Sequence, residues 1–167
     1  MIYLIGFSGA GKTTIGKHLA LQKNRKFIDT DEQIEKEHKK SISNIFKEYG
    51  ENYFRKLERD MLRKVDGSII SCGGGLPIYN HNMQYIKESG ISIYIKASEK
   101  KIFERLSKIK HTRPLIQKKS DKGLKIFIKE ELKNRREIYE MADYTINTDH
   151  KLTEEILRQI NSLPFTL

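Results

Sequence analysis

Met1-Ile2-Tyr3-Leu4-Ile5-Gly6-Phe7-Ser8-Gly9-Ala10-Gly11-Lys12-Thr13-Thr14 runs from an apolar β-branched stretch through a glycine-rich turn into a segment of helical periodicity. That is the context a phosphate-binding P-loop requires, so the chain is expected to bind a nucleoside triphosphate. Glycines at the turn let successive backbone N–H groups converge on one anion, and the positive end of the following helix adds to the attraction. Gly9, Ala10, Gly11, Lys12, Thr13 and Thr14 are the expected nucleotide contacts, with Lys12 reaching the β- and γ-phosphates. Thr13 offers a hydroxyl at the helix start for the Mg²⁺ that accompanies ATP.

Outward from this turn, β-branched runs recur at residues 26–28, 68–72, 91–95 and 144–146, separated by stretches of helical period. Such alternation predicts a parallel five-stranded sheet covered by helices on both faces, a three-layer α/β/α domain with its ligands at the carboxyl ends of the strands. With 167 residues the chain is expected to be one domain. Residues 31–65 hold more helix than a crossover needs, broken at Gly50, and read as a helical insertion beside the P-loop where an acceptor pocket is expected. Residues 108–123 show little apolar periodicity and read as a lid loop, followed by a helix over 124–141 and a closing helix over 152–163.

A formal net charge of +10 raises nucleic acid as a partner. Lysines are spread along the chain and aromatics do not interleave with them in an RNA-reading pattern, so a positive field around an anionic-ligand cleft accounts for the charge and nucleic acid is discounted. The single cysteine, Cys72, forms no internal disulfide and suits a reducing cytosol. No apolar run approaches a membrane span and no export signal opens the chain, so a cytoplasmic, membrane-free protein is expected.

Asp29-Thr30-Asp31 places two carboxylates where the second strand ends, one for a metal and one for a substrate hydroxyl, although Asp31 at such a junction also reads as an ordinary helix cap. Gly73-Gly74-Gly75 after the third strand reads either as close backbone approach to a small ligand or as a tight-packing turn. Arg55 and Arg135 lie in helical stretches where arginines mostly face water; together, their planar forks would select a carboxylate. Glu58, three residues after Arg55, lies on the same face and is placed to hold its guanidinium.

Taken in order, Gly6 to Thr13, Asp29-Thr30-Asp31, Phe54-Arg55, Gly73-Gly74-Gly75, Arg113-Pro114-Leu115 and Arg135 with Tyr139 resemble the shikimate kinase family along nearly the whole chain. The resemblance implies a P-loop kinase fold of the nucleoside monophosphate kinase type. It also implies transfer of the γ-phosphoryl group of MgATP to the 3-hydroxyl of shikimate, on the route to chorismate and the aromatic amino acids. By the same resemblance Lys12, Asp31 and Arg113 are catalytic, Arg113 as the lid arginine over the phosphates. Thr13 and Asp29 serve Mg²⁺, and Arg105 is the candidate beside adenine. Asp31, Arg55, Gly73, Gly74, Gly75 and Arg135 contact shikimate, with Phe46 and Phe54 as apolar walls, in a protein expected to be a monomer. Asp31 either removes a proton or orients the hydroxyl. Glu137 stands where the family commonly has proline, so the choice of Arg135 over Arg136 rests on counting back from Tyr139.

Overall fold

A computed structural model of the chain describes residues 1–66, 69–109 and 116–165. Five parallel strands form one sheet in the order β2-β3-β1-β4-β5: β1 Ile2–Ile5, β2 Phe27–Asp29, β3 Ile69–Ser71, β4 Ile91–Lys96 and β5 Tyr144–Asn147. The central strand β1 is wholly buried, which is why it reads as an unbroken apolar run rather than an alternating one. The helices are α1 Lys12–Gln22, α2 Thr30–His38, α3 Ile42–Lys64, α4 Asn82–Ser89, α5 Glu99–Ile109, α6 Asp121–Glu140 and α7 Thr153–Asn161. The path from β1 to β2 runs one way across the sheet and that from β3 to β4 runs the other. Right-handed crossovers therefore put α1 and α4 on opposite faces.

That order sets β2, β3 and β1 side by side, so the three segments leaving their carboxyl ends converge. They carry Asp29-Thr30-Asp31, Gly73-Gly74-Gly75 and the P-loop, respectively. The expected α/β/α P-loop kinase architecture is present, with strand limits within a residue or two of the expected runs; Ser68, the expected start of β3, lies outside the described residues.

The helix pair α2 and α3 encloses its own apolar seam of Ile34, Ile45, Phe54 and Met61, separate from the main core. Helix α3 bends at Gly50, whose φ of 80° and ψ of 175° interrupt the helical run as the sequence implied. The bend turns the second half of α3, which bears Phe54, Arg55 and Glu58, toward the strand ends. Two boundaries differ from expectation. Helix α6 begins at Asp121 rather than 124, because the Ser120 side chain accepts from the Gly123 amide and caps it. Residues 108 and 109 belong to α5, which shortens the expected loop from both ends.

The backbone of residue 50 lies in a region essentially reserved for glycine, and a Cβ there would meet nothing within 4 Å. The Gly50→Ala variant therefore isolates backbone strain from packing. It is expected to lower unfolding free energy by about 1–3 kcal/mol in urea titration; an unchanged midpoint would mean that α3 straightens without cost.

Candidate active site

Two cavities meet above the carboxyl edge of the sheet. The larger, about 510 Å³, is lined by Gly9, Gly11, Lys12, Thr13, Thr14, Asp29, Ser71, Gly73 and Arg105. The other is lined by Phe7, Phe46, Phe54, Arg55, Glu58, Gly75, Ile116, Phe127 and Arg135. Ser8, Asp31, Ile42 and Gly74 line both. Asp31 therefore stands where a group bound in one cavity faces a group bound in the other.

In the P-loop, Gly9 and Gly11 take positive φ values of 82° and 106°. Lys12 is buried and donates from Nζ to the carbonyls of Gly6 and Phe7 at 2.8 and 2.9 Å. This holds the ammonium inside the turn, next to the cavity it lines. The Ala10 side chain is buried in the core, leaving backbone as that residue's contribution to the loop. Arg105, on α5, donates from Nη1 to the carbonyls of Gly9 and Ala10 at 2.9 and 2.8 Å, bracing the loop from outside while lining the nucleotide-sized cavity.

The helix cap falls on Asp29 and not on Asp31, because β2 ends at Asp29 and α2 begins at Thr30. Asp29 is the cap of α2: its Oδ1 accepts from the amides of Asp31 and Glu32 at 3.0 and 3.3 Å. Its Oδ2 accepts from Thr13 Oγ1 at 2.7 Å, and Ser71 Oγ lies 3.5 Å from the same hydroxyl. Thr13, Asp29 and Ser71 thus present a cluster of hard oxygen donors on the cavity wall, the chemistry Mg²⁺ selects when it keeps several waters and binds through one or two protein oxygens. Asp31, freed from capping, projects its carboxylate against Gly73. A Cβ on residue 73 would collide with Asp31 Oδ1 and sit 2.8 Å from Glu58 Oε1.

The glycine run is a wall. Residue 74 lies against Ser8, with an added Cβ 3.0 Å from both its amide nitrogen and its Oγ, and residue 75 lies against the Arg55 guanidinium. Thr30 fixes the start of the run, accepting from the Gly73 amide at 2.9 Å.

Both arginines turn inward. Arg55 and Arg135 are 7% and 8% exposed, whereas Arg136 is exposed, so the count back from Tyr139 selects the buried member of the pair. Arg55 donates from Nη1 to Glu58 Oε2 at 2.6 Å and from Nε and Nη2 to Glu51 Oε1 at 3.1 and 2.7 Å. The Tyr79 ring lies 4.3 Å from its guanidinium carbon. Three of its five N–H donors are engaged, and the guanidinium is locked in orientation. Arg135 pairs with Glu131 and lies over the Phe7 ring at 5.3 Å. The sequence reading anticipated Glu58 but missed Glu51 and Glu131. Each stands four residues before its arginine, a spacing that could have revealed both.

Glu58 is 1% exposed and carries an unusual carboxyl. Burial, reinforced by nearby Asp31, pushes its pKa from 4.5 up to about 7, although Arg55 and Arg135 pull the other way. Desolvation outweighs the ion pair because the group lies beneath Gly73 with almost no water access. Arg113, with Pro114 and Leu115, lies outside the described residues. Ile116, just after them, is buried and lines the arginine-bearing cavity.

The shikimate kinase family model matches residues 8–163. The chain belongs to the shikimate kinase family. It is 40% identical to the shikimate kinase of Parabacteroides distasonis over 164 residues, covering 96% of this chain and 95% of the relative. It is 41% identical to that of Persephonella marina over 95% of each. The solved shikimate kinase of Bacteroides thetaiotaomicron superposes with a TM-score of 0.88 at 36% identity, covering 96% of this chain and 95% of the other. The Acinetobacter baumannii enzyme, solved in complex with shikimate, superposes with a TM-score of 0.89 at 33% identity, covering 96% and 89%. A gluconokinase of Sinorhizobium meliloti, at 17% identity, shares the fold alone. Membership makes the chain an ATP-dependent kinase acting on a small-molecule alcohol. Among the described residues of this shikimate kinase family member, no helix is long and apolar enough to cross a membrane.

Because its pKa is raised on folding, Glu58 adds stability that is fully present below about pH 4.5 and is lost as pH rises through about 7. The Glu58→Gln variant keeps the shape and does not titrate. Denaturant titration at pH 5 and pH 8 is expected to show wild type losing on the order of 1–3 kcal/mol relative to the variant over that interval. Parallel pH profiles would show that Glu58 is charged throughout.

Proposed function

We propose that this chain transfers the γ-phosphoryl group of MgATP to the 3-hydroxyl of shikimate, giving shikimate 3-phosphate and ADP on the route to chorismate. The observation that carries the reading is the shared wall: an anion cradle and a cavity bearing two buried arginines abut at Asp31, Ser8 and Gly74. Phosphoryl transfer is mainly positioning and charge stabilisation, so two adjoining sites of this kind supply most of what it needs.

In this reading the substrate carboxylate lies against Arg55 and Arg135, which both line the second cavity. Phe46 and Phe54 pack on its ring, and Gly75 allows the ring close to Arg55. Asp31 accepts from the reacting hydroxyl and aims its oxygen toward the nucleotide cavity. With a loose transition state this orientation is its main contribution, and the proton follows once the new bond forms. Lys12 exchanges the Gly6 and Phe7 carbonyls for phosphate oxygens. The P-loop amides, Thr14 and Arg105 complete the nucleotide side, and Arg113 is assigned to the lid that closes over the phosphates. Thr13 and Asp29, with Ser71 beside them, would hold Mg²⁺, which when bound neutralises phosphate charge. The chain is assigned as a monomer of the cytoplasm, with every group named supplied by one copy.

Shikimate-dependent ADP release in a coupled assay tests the reading, with gluconate as the alternative acceptor. Turnover with gluconate and none with shikimate would overturn it. The Lys12→Ala variant is expected to lose turnover by at least about 100-fold while still folding. Replacing Arg135 by Ala is expected to raise the KM for shikimate by about 10–100-fold, with a smaller change in kcat, because a remote carboxylate contact acts mainly on binding.

A further inference from the structure

Tyr139 has no part in the reading above, yet it is 0% exposed and lies one helical turn beyond Arg135 on the same face of α6. Its hydroxyl donates to the Gly74 carbonyl at 2.6 Å. The Arg135 guanidinium lies close enough to act electrostatically on the same phenol. Burial pushes the phenol's pKa up, against the pull of the Arg135 cation, so the proton stays on the oxygen and the donor to Gly74 is permanent. The ring itself packs on Tyr94, with centroids 5.2 Å apart. Gly74 in turn lies against Ser8 of the P-loop.

Arg135 otherwise pairs with Glu131, which rides on the same helix and so cannot fix α6 relative to the sheet. The Tyr139 hydroxyl is a polar link from that helix to the segment leaving β3. We propose that Tyr139 is a positioning residue for the reaction: by tying the turn of α6 that carries Arg135 to the Gly74 carbonyl, it holds the carboxylate-binding guanidinium in register with the glycine wall. The proposal rests on the assignment of Arg135 to the substrate carboxylate made above.

Tyr139→Phe removes the hydroxyl and keeps the ring. The KM for shikimate is expected to rise about tenfold, the order of one lost hydrogen bond, while kcat changes less than about threefold. In the Arg135→Ala background the same replacement is expected to change KM by less than about twofold, since the guanidinium it positions is gone. Tyr94→Phe, which trims the neighbouring ring and leaves the bridge intact, is expected to retain the wild-type KM. Should Tyr139→Phe lower the melting temperature with KM at the wild-type value, or should its effect persist undiminished without Arg135, Tyr139 serves packing alone and the proposal falls. A wild-type protein lacking shikimate-dependent ADP release overturns the underlying reading instead, so the two failures are distinguishable.

Discussion

A side chain on any of residues 73 to 75 would crowd the groups that make the site. A single carbon there would press on the Asp31 carboxylate, the Ser8 amide or the Arg55 guanidinium, which belong to the segment leaving β1 and to the two helices that follow β2. The bare backbone is what lets those segments close to contact distance, so that two cavities share a wall instead of lying apart. Parallel strand order brings β2, β3 and β1 together, but without this thin partition their loops would stand a side chain's width further off. In phosphoryl transfer, where positioning supplies much of the rate, an ångström of separation is costly.

Charge is managed around the same wall. Arg55 lies between Glu51 at the rim and Glu58 inside, and Arg135 is paired with Glu131. Each cation is thereby desolvated in company rather than alone, which is the only affordable way to bury it. The carboxylates also fix the planes of the guanidinium groups, so an incoming acid meets forks already oriented. Phe7, Phe46 and Phe54 lower the local polarity around them and strengthen those contacts.

Much of this was legible in the sequence because it is local. The P-loop spacing, the break at Gly50 and the position of Arg135 four residues before Tyr139 are each written in a single short stretch. The apolar run at Ile2–Ile5 read as a strand of a parallel sheet, and its lack of alternation reflects burial on both faces. What escaped was either long-range or masked by composition. The cap of α6 at Ser120 was obscured by the polar run Lys118-Lys119-Ser120-Asp121, which reads as loop until the Ser120 acceptor is seen to meet Gly123. Asp31 reads as the cap when the tripeptide is taken alone, whereas Asp29 is the cap, since which one caps a helix depends on where β2 ends. The raised carboxyl of Glu58 is a property of what covers it, and no spacing along α3 encodes that.

Cys72 sits directly beneath the glycine wall, 1% exposed, and burial pushes its thiol far toward the protonated form. Thiolate is the reactive species, so in the closed fold this sulfur is chemically silent. Alkylating reagents reach it when β3 separates from its neighbours, which makes the chain's single thiol a natural clock for how often the floor of the catalytic cleft opens.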